Sequence, residues 1–509
     1  MDRNNIFQIL GIGSNGVACQ RGAILSLDVN HANLLLVRNL CAAVPDNQSS
    51  ACAHNIYVTV SEILSYLCCW LTSTTDPAAD VQQKAITCIN IGTQTLANMM
   101  TGNADVMNRC WPTFFTGSDV LIQLLQIPND DTCRYALMWI FNSINKDRTR
   151  SLYLLQTPPG RLVLKELLNK TTDSYPDDEV FTIIYAVFCS MVELDLTGEI
   201  LMALMKLRQG EGCKSLVPSW ALNFFKLLDG IIETRYRNHS TTGITLKPAL
   251  NLAKMAGAFV DFLKKETESI IARIPNGIER IIYIAEQAVR SQRSHLQEIP
   301  EQLSTASEGD AADEEIRRVL FGNELDALVL VLQCLAKVAY DMDTEAKVRL
   351  CQESTLLKSL LDLLSLAEQL HPRKKLASAK TMNLEPDLEV EHRGLFMLKC
   401  DAIKVIGNLC YHCKEIQDEM RNIGVIQVVL NHCTLDDNNP FIREYALFAI
   451  RNLCYNNLEN QALIDSLEAR GVAQSQDLNE MGVEAVIDED GKLRLQRAKE
   501  QSDSSMHDV

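Results

Sequence analysis

Apolar residues in this chain recur at the spacing of an α-helix. In residues 441–457, FIREYALFAIRNLCYNN, they occupy positions i, i+3, i+4 and i+7, and residues 397–413, MLKCDAIKVIGNLCYHC, repeat the pattern at an offset of 44 (452 − 408). The paired positions are Ala446 and Ala402, Ala449 and Val405, Ile450 and Ile406, and Leu453 and Leu409. Residues at this spacing share one helical face, so both segments are predicted to be amphipathic helices of a repeating unit.

The residues between these helices complete the unit. After Cys413 the sequence predicts a short helix in EIQDEMRNIG, a second near 424–433, a turn in LDDNNP, and a third near 440–455. Three helices in about 40–47 residues are typical of armadillo and HEAT repeats. The N-terminal half follows the same order, so we predict an all-α, armadillo/HEAT-like α-solenoid, a right-handed superhelix of three-helix repeats that is stable only when stacked.

One position in the repeat is always small. The first apolar slot holds Ala446 and Ala402, and in two further candidate repeats, again 44 residues apart (142 − 98), it holds Ala136 and Gly92. A small side chain allows a neighbouring helix to approach closely. We therefore predict that this slot is a buried helix–helix contact.

Changes in composition suggest how the array is divided. The predicted parts are an N-terminal array (1–290), an acidic linker (291–316), a C-terminal array (317–470) with an inserted loop (367–394), and an acidic tail (471–509). Residues 298–315 contain seven carboxylates and no Lys or Arg. Within the tail, VEAVIDEDGKLRLQ is compatible with a small hairpin turning at Asp490-Gly491 or with a frayed end.

Charge and cysteine usage narrow the functional classes. The 509 residues carry a formal charge of −17, which disfavours a nucleic-acid surface and docking on anionic membranes. Seventeen cysteines without a recognisable signal sequence favour free thiols in a reducing compartment. With no apolar run of about 20 residues, the expectation is a cytoplasmic protein that binds other proteins without membrane insertion.

Two motifs imitate chemical sites. GIGSNG at 11–16 matches G-x-G-x-x-G, but the strand and βαβ alternation that a dinucleotide site needs are missing around it. Cys410 and Cys413, with His432 and Cys433, resemble a zinc set, yet the first two cysteines end an amphipathic helix, where core thiols are the simpler interpretation. We predict no cofactor, no metal and no catalytic residue, and hence a protein that is not an enzyme.

An asparagine recurs near the end of the predicted third helices, at Asn39, Asn98, Asn142, Asn408 and Asn452. It lies at the edge of the apolar stripe, where armadillo proteins that bind extended peptides use such an amide to bond the peptide backbone. The second interpretation is that each asparagine caps or bonds its own helix end. Both interpretations stay open at the level of sequence.

The residues four positions before each of these asparagines differ from those of a nuclear-import receptor. Where that pattern has Trp, this chain has Leu35, Gln94, Met138, Lys404 and Phe448. The candidate protein-binding groove is therefore assigned to Asn98, Asn142, Asn408, Asn452 and Phe448. A separate motif, Arg373-Lys374-Lys375 ahead of Ser378, makes Ser378 a candidate phosphorylation site.

The C-terminal residues resemble a known family. GNLCY (407–411), TLDDNNPFIREYALFAIRNL (434–453), NNLENQALI (456–464) and the tail segment GKLRLQ are similar to the C-terminal domain of the ataxin-10 family, over roughly 395–495. The resemblance implies a cytosolic armadillo-type scaffold that binds other proteins, with links to neuronal survival, neurite outgrowth and cytokinesis. An importin-like adaptor for peptide segments is the alternative, an enzyme is a weaker third, and homo-oligomerisation stays open.

Overall fold

A computed structural model describes most of the chain. It covers residues 27–74, 78–116, 119–172, 178–211, 215–238, 245–274, 276–284, 322–373, 394–436, 439, 441–467, 482–487 and 493–497. The Gly11–Gly16 motif, the acidic linker 291–316 and Ser378 lie outside these residues.

Helices dominate the described residues. Those of the first part of the chain are α1 (Leu27–Cys41), α2 (Pro45–Ala53), α3 (Ile56–Ser73), α4 (Ala79–Met100), α5 (Ala104–Cys110), a 3₁₀ turn (Trp111–Phe115), α6 (Val120–Gln126), α7 (Asp130–Ile144), α8 (Arg148–Gln156), α9 (Pro158–Lys170), α10 (Glu179–Glu193), α11 (Thr197–Glu211), α12 (Ser219–Arg237) and α13 (Leu246–Arg273). The second part contains α14 (Asn323–Asp341), α15 (Thr344–Gln352), α16 (Leu356–Leu370), α17 (Gly394–Cys410), α18 (Lys414–Asn422), α19 (Val425–Asn431), α20 (Ile442–Cys454), α21 (Leu458–Asp465), and strands β1 (Val483–Ile487) and β2 (Leu493–Arg497).

The last helix of each repeat packs on the last helix of the next. These third helices are α1, α4, α7, α10, α12, α14, α17 and α20, and each contacts its neighbour in that order. Their apolar sides join one continuous hydrophobic core. The structure is an α-solenoid, as the 44-residue repeat predicts. The predicted helices near 424–433 and 440–455 are confirmed as α19 and α20.

Side-chain caps fix several helix starts. Asn129 Oδ1 accepts a hydrogen bond from the Thr132 backbone N–H at 3.0 Å, and Asp147 and Asp343 do the same for the N–H groups three residues on, both at 2.8 Å. The first turn of a helix leaves backbone N–H groups without partners, and Asn and Asp at the N-cap satisfy them. The sequence thus sets these boundaries locally.

The small slot is buried in all four candidate repeats. Ala136, Ala402 and Ala446 have no exposed surface, and a Cβ added to Gly92 would lie 2.8 Å from Leu64 Cδ2. Contacts under 3.0 Å require a neighbour to move, so this space is already filled. The predicted helix–helix contact is confirmed.

The row of third helices continues across the sequence boundary at 291–316. Lys337 of α14 places its Nζ 2.7 Å from Asp229 Oδ1 and 2.8 Å from Glu233 Oε2 of α12. Although burial opposes the charge of Lys337, these two carboxylates raise its pKa above the ordinary value. The predicted N- and C-terminal arrays are therefore packed together in one stack.

A buried glutamine closes the ends of two neighbouring third helices. Gln417 of α18 is 1% exposed, and its Nε2 donates to the carbonyls of Cys410 (3.1 Å), Asn452 (2.8 Å) and Tyr455 (3.3 Å). These carbonyls belong to the C-terminal ends of α17 and α20, where a helix has no internal donors left. One side chain thus ties successive repeats together.

The same arrangement recurs near the N-terminus. Gln48 of α2 donates to the carbonyls of Cys41 (3.2 Å), Asn98 (2.8 Å) and Thr101 (3.0 Å). Each glutamine follows the third helix of its own repeat by seven residues (48 − 41 and 417 − 410). In α15, the Lys347 ammonium takes the equivalent role and donates to the Asn408 carbonyl at 2.9 Å.

Two local features complete the fold. Strands β1 and β2 pair antiparallel, with Ile487 opposite Leu493, so the hairpin interpretation of the tail is confirmed. Helix α3 is long and apolar enough to cross a membrane by length and composition alone. Core helices pass the same test, and Ile56, Leu64 and Leu67 of α3 are buried in the solenoid core.

Candidate protein-binding face

The side chains of successive third helices are joined by polar contacts, and we call this surface the third-helix face. Each junction carries at least one contact between side chains, so the face is a connected surface. The contacts are Arg38–Gln94 (2.8 Å), Asn90–Thr132 (2.5 Å), Arg134–Glu179 (3.0 Å), Glu193–Arg235 (3.2 Å), Asp229–Lys337 (2.7 Å), Gln333–Asp401 (3.0 Å) and the Lys404 ammonium over the Tyr445 ring (4.5 Å).

Three of the recurring asparagines bond the preceding third helix. Asn98 Nδ2 donates to the Arg38 carbonyl (3.3 Å), Asn408 Nδ2 to the Ala336 carbonyl (2.8 Å) and Asn452 Nδ2 to the Gly407 carbonyl (2.9 Å). These bonds run between helices 45 to 72 residues apart in sequence. The two interpretations drawn from the sequence were a partner's backbone and the helix's own end, and the structure adds this third role.

The other two asparagines differ. Asn142 is half-buried, and its amide makes no hydrogen bond with any residue that the structure describes. Asn39 is exposed, and its Oδ1 accepts from the guanidinium of Arg38, with Nε at 3.2 Å. Of the groove candidates, Asn142 therefore keeps an amide able to meet a partner's backbone.

Two apolar side chains stand out on the face. Met138, one helical turn before Asn142, and Phe448, one turn before Asn452, are 42% and 47% exposed. A Cβ added to Gly407 would lie 3.7 Å from Phe448 Cδ1, which places the Phe448 ring over α17. On α7, the exposed Met138 beside the side-chain amide of Asn142 suits a peptide that needs both packing and hydrogen bonds.

The polar residues at the corresponding positions are held by their neighbours. Gln94 Oε1 accepts from Arg38, and Lys404 pairs with Asp401 at 2.9 Å while lying over Tyr445. Burial opposes the charge of Lys404, but Asp401 raises its pKa above the ordinary value. A cation fixed in the face disfavours basic cargo at this point.

The cysteine and histidine residues near α17 form separate contacts. Cys410 and Cys413 are buried, Cys410 Sγ donates to the Gly407 carbonyl at 3.5 Å, and burial raises the pKa of the Cys410 thiol. His432 Nδ1 lies 2.8 Å from the Val428 carbonyl. Within the described part of the chain, no three His, Cys, Asp or Glu side chains are grouped to hold a metal ion.

The sequence similarity is concentrated in the repeats that carry Asn408, Phe448 and Asn452. The family model described as "Spinocerebellar ataxia type 10 protein domain" matches residues 398–496. Ataxin-10 of Xenopus tropicalis is 25% identical over 421 residues, which cover 82% of this chain and 72% of the Xenopus protein. The chain is thus similar to the ataxin-10 family, whose domain matches its C-terminal part.

Other ataxin-10 homologs match a shorter region. The ataxin-10 homolog of Dictyostelium discoideum is 43% identical over 109 residues, 21% of this chain and 17% of that protein. The homolog of Saccharomyces cerevisiae is 36% identical over 97 residues, 19% of this chain and 17% of that protein. The stronger ataxin-10 identity thus covers about a fifth of the chain.

Two solved structures are similar in outline. One comes from a study of a phosphorylation switch controlling the interaction between cadherin and beta-catenin; its TM-score is 0.27 at 12% identity, over 89% of this chain and 88% of that one. The other is Kap121p bound to Nup53p, with a TM-score of 0.25 at 13% identity, over 92% of this chain and 45% of that one.

Proposed function

We propose that this chain is a non-catalytic scaffold of the ataxin-10 type that binds an extended segment of a partner protein on its third-helix face. The observation that carries the proposal is the pairing of exposed Met138 with the Asn142 amide on α7, and of exposed Phe448 with the end of α20. Similarity to the ataxin-10 family supports a helical scaffold independently of this geometry.

Physical chemistry favours an extended partner. The third helices stack side by side, so their exposed side chains recur at intervals along the stack, as side chains do along an extended peptide. Apolar anchors supply most of the binding free energy at such interfaces, while amides fix the peptide's register. Met138 and Phe448 are the anchors, and Asn142 provides the register contact.

The importin-like alternative has less support. Basic cargo would need an aromatic cage at the positions held by Gln94 and Lys404. Gln94 is already bonded to Arg38 of α1, and Lys404 pairs with Asp401 of its own helix while lying over the Tyr445 ring of α20. We further propose a cytoplasmic location and roles in neuronal survival, neurite outgrowth and cytokinesis, which the family resemblance implies. Depletion followed by rescue, scored by the fraction of binucleate cells and by neurite length, tests those roles.

A photo-crosslinking amino acid at a single position tests the face directly. Placed at position 448 in the full chain, it should capture a defined set of partner peptides, and Met138→Asp should reduce that capture. The matched control is position 162 on α9, because Leu162 is also exposed but α9 is not a third helix. Equal capture of the same peptides at both positions would contradict the proposal.

A further inference from the structure

Exposed tyrosines stand at the C-terminal ends of the third helices α12, α14, α17 and α20, and we call this edge the tyrosine rim. Tyr236 and Tyr340 lie in the last turns of α12 and α14, Tyr411 directly follows α17, and Tyr455 directly follows α20. They are 39%, 58%, 45% and 42% exposed. Four half-exposed aromatic rings at equivalent repeat positions form a surface feature that the third-helix face does not include.

Side-chain contacts place these rings in two groups. Tyr236 and Tyr340 meet edge to face with centroids 5.7 Å apart. The exposed His412 ring lies 4.1 Å from Tyr411 and 4.5 Å from Tyr455, so it links the ends of α17 and α20. Gln417 bonds the carbonyls of both helix ends, which confirms that these ends are neighbours.

The rim already binds one cation of the chain itself. The Lys347 ammonium donates to the carbonyls of Asn408 (2.9 Å) and Tyr411 (3.4 Å) and lies 5.9 Å from the centre of the Tyr411 ring. Helix C-termini carry partial negative charge, and the faces of aromatic rings attract cations. Although burial lowers the pKa of Lys347, the carbonyls and the ring around it are groups that attract positive charge.

Exposed carboxylates accompany the tyrosines in three successive repeats. Glu345, Glu415 and Glu459 occupy the first turns of α15, α18 and α21, four or five residues after Tyr340, Tyr411 and Tyr455. Glu459 already pairs with an arginine of the chain, since its Oε2 lies 2.5 Å from Arg421 Nη2. The nearby exposed cation Lys414 is paired with Asp418 at 3.6 Å, which leaves the repeated tyrosine and glutamate pairs as the dominant feature.

We propose that the tyrosine rim binds an arginine-bearing extended segment of a partner protein. A guanidinium stacks flat on an aromatic ring while its N–H groups bond a carboxylate. The rim carries a tyrosine and a glutamate in each of three repeats, and in the last of them Glu459 would have to exchange Arg421 for the partner's arginine. Lysine would gain the charge but not the planar stacking, so the expected preference is for arginine. The inference rests on the scaffold function proposed above but uses a different surface.

Fluorescence anisotropy with a defined probe tests this. The probe is a labelled peptide of alternating Arg and Gly, and its comparison is the same peptide with Lys in place of Arg, both at physiological ionic strength. Wild-type chain should bind the Arg peptide several-fold more tightly. The triple variant Y340A/Y411A/Y455A should lose about ten-fold or more in affinity, at roughly three-fold per exposed cation–π contact.

Matched variants decide the interpretation. The triple Tyr→Phe variant keeps the rings and should bind within about two-fold of wild type, and E345Q/E415Q/E459Q should weaken both peptides. Equal binding of Arg and Lys peptides, or undiminished binding by the Tyr→Ala variant, would overturn the proposal and leave only attraction by net charge. Should the triple variant fail to fold, Tyr340→Ala alone should lose about three-fold, and unchanged affinity would again overturn it.

Met138→Asp and Phe448→Ala provide the link to the proposed function. Both should bind the Arg peptide as wild type does, because neither side chain belongs to the rim. If the rim does not bind the Arg peptide as expected, the crosslinking result at position 448 is unaffected. Conversely, failure of that crosslinking result leaves the anisotropy measurement interpretable.

Discussion

Replacing Gln417 should loosen the junction between the last two described repeats. Its Nε2 is shared among three carbonyls at 2.8–3.3 Å, with the bonds to Cys410 and Asn452 buried and the bond to Tyr455 partly buried, and its Oε1 accepts from Asn457 Nδ2 at 3.1 Å. Since Nε2 has two protons, the loss amounts to roughly two buried hydrogen bonds, or about 2–3 kcal/mol when the acceptors stay dry. Gln417→Ala also leaves a cavity that costs about 1 kcal/mol more.

Two control variants separate these contributions. Gln417→Met keeps the volume and removes the hydrogen bonds, so it should cost about 2–3 kcal/mol by itself. Gln461→Ala removes a bond with the same seven-residue spacing, from Nε2 to the Cys454 carbonyl at 2.8 Å, but at an exposed position where water replaces it. Gln461→Ala should therefore lower the free energy of unfolding by about 0.5 kcal/mol, the low end of the range for a single hydrogen bond.

Hydrogen exchange followed by mass spectrometry is the suitable assay, because repeat arrays need not unfold in one cooperative step. Amides of α17 and α20 should exchange about 30- to 100-fold faster in Gln417→Met, if exchange follows local opening. Protection equal to wild type in Gln417→Met would refute the hydrogen-bond reasoning. An equal loss in Gln461→Ala would show that burial of the carbonyls is not the cause.

Three further outcomes are expected. Ala446→Leu should lower the melting temperature, since adding methylenes to a fully buried contact costs about 1–3 kcal/mol; an unchanged melting curve would contradict the packing. Asn452→Ala should reduce stability because its amide bonds the preceding helix. Asn142→Ala should instead leave stability intact and weaken partner capture by the crosslinker at position 448. If Asn142→Ala lowered stability and Asn452→Ala lowered capture, the two roles would be exchanged. Burial lowers the pKa of His432, so the folded state favours the neutral ring. The protection of α16–α19 against hydrogen exchange should therefore fall as the pH decreases from about 6.5 to 5.5. His432→Gln should make this protection less dependent on pH.

The periodic parts of the fold were predictable because periodicity is local. The apolar stripe gives α19 and α20 and their small contact positions, and the Asp490-Gly491 pair made a hairpin one of two interpretations of the tail. Neither requires knowledge of distant residues. Family resemblance extends this to the repeats around Asn408 and Asn452, where the chain is most similar to its relatives.

Contacts between repeats were not predictable in the same way. Gln417 lies in KEIQDEMRN, a polar segment in which the sequence suggests that every Gln or Glu is exposed to solvent. Gln417 is nevertheless buried, because the ends of two helices outside that segment pack around it. The sequence offered each asparagine its own helix end or a partner as a hydrogen-bonding partner, yet three of the five donate to the preceding third helix. The rim was hidden because Tyr340 and Tyr411 are 71 residues apart, 27 more than Tyr411 and Tyr455, in a repeat lengthened by its insertion.

The junction beside residues 291–316 joins two stretches of chain that sequence alone separates. Glu324, at the start of α14, accepts from the Ser215 hydroxyl at 2.6 Å and the Leu216 N–H at 2.9 Å, ahead of α12, and Lys337 joins the same two helices further along. These contacts, rather than the chain connection through 291–316, hold the two parts of the solenoid together. A backbone cut there should yield two fragments that reassemble when co-expressed, which makes this protein a candidate for split-reporter complementation.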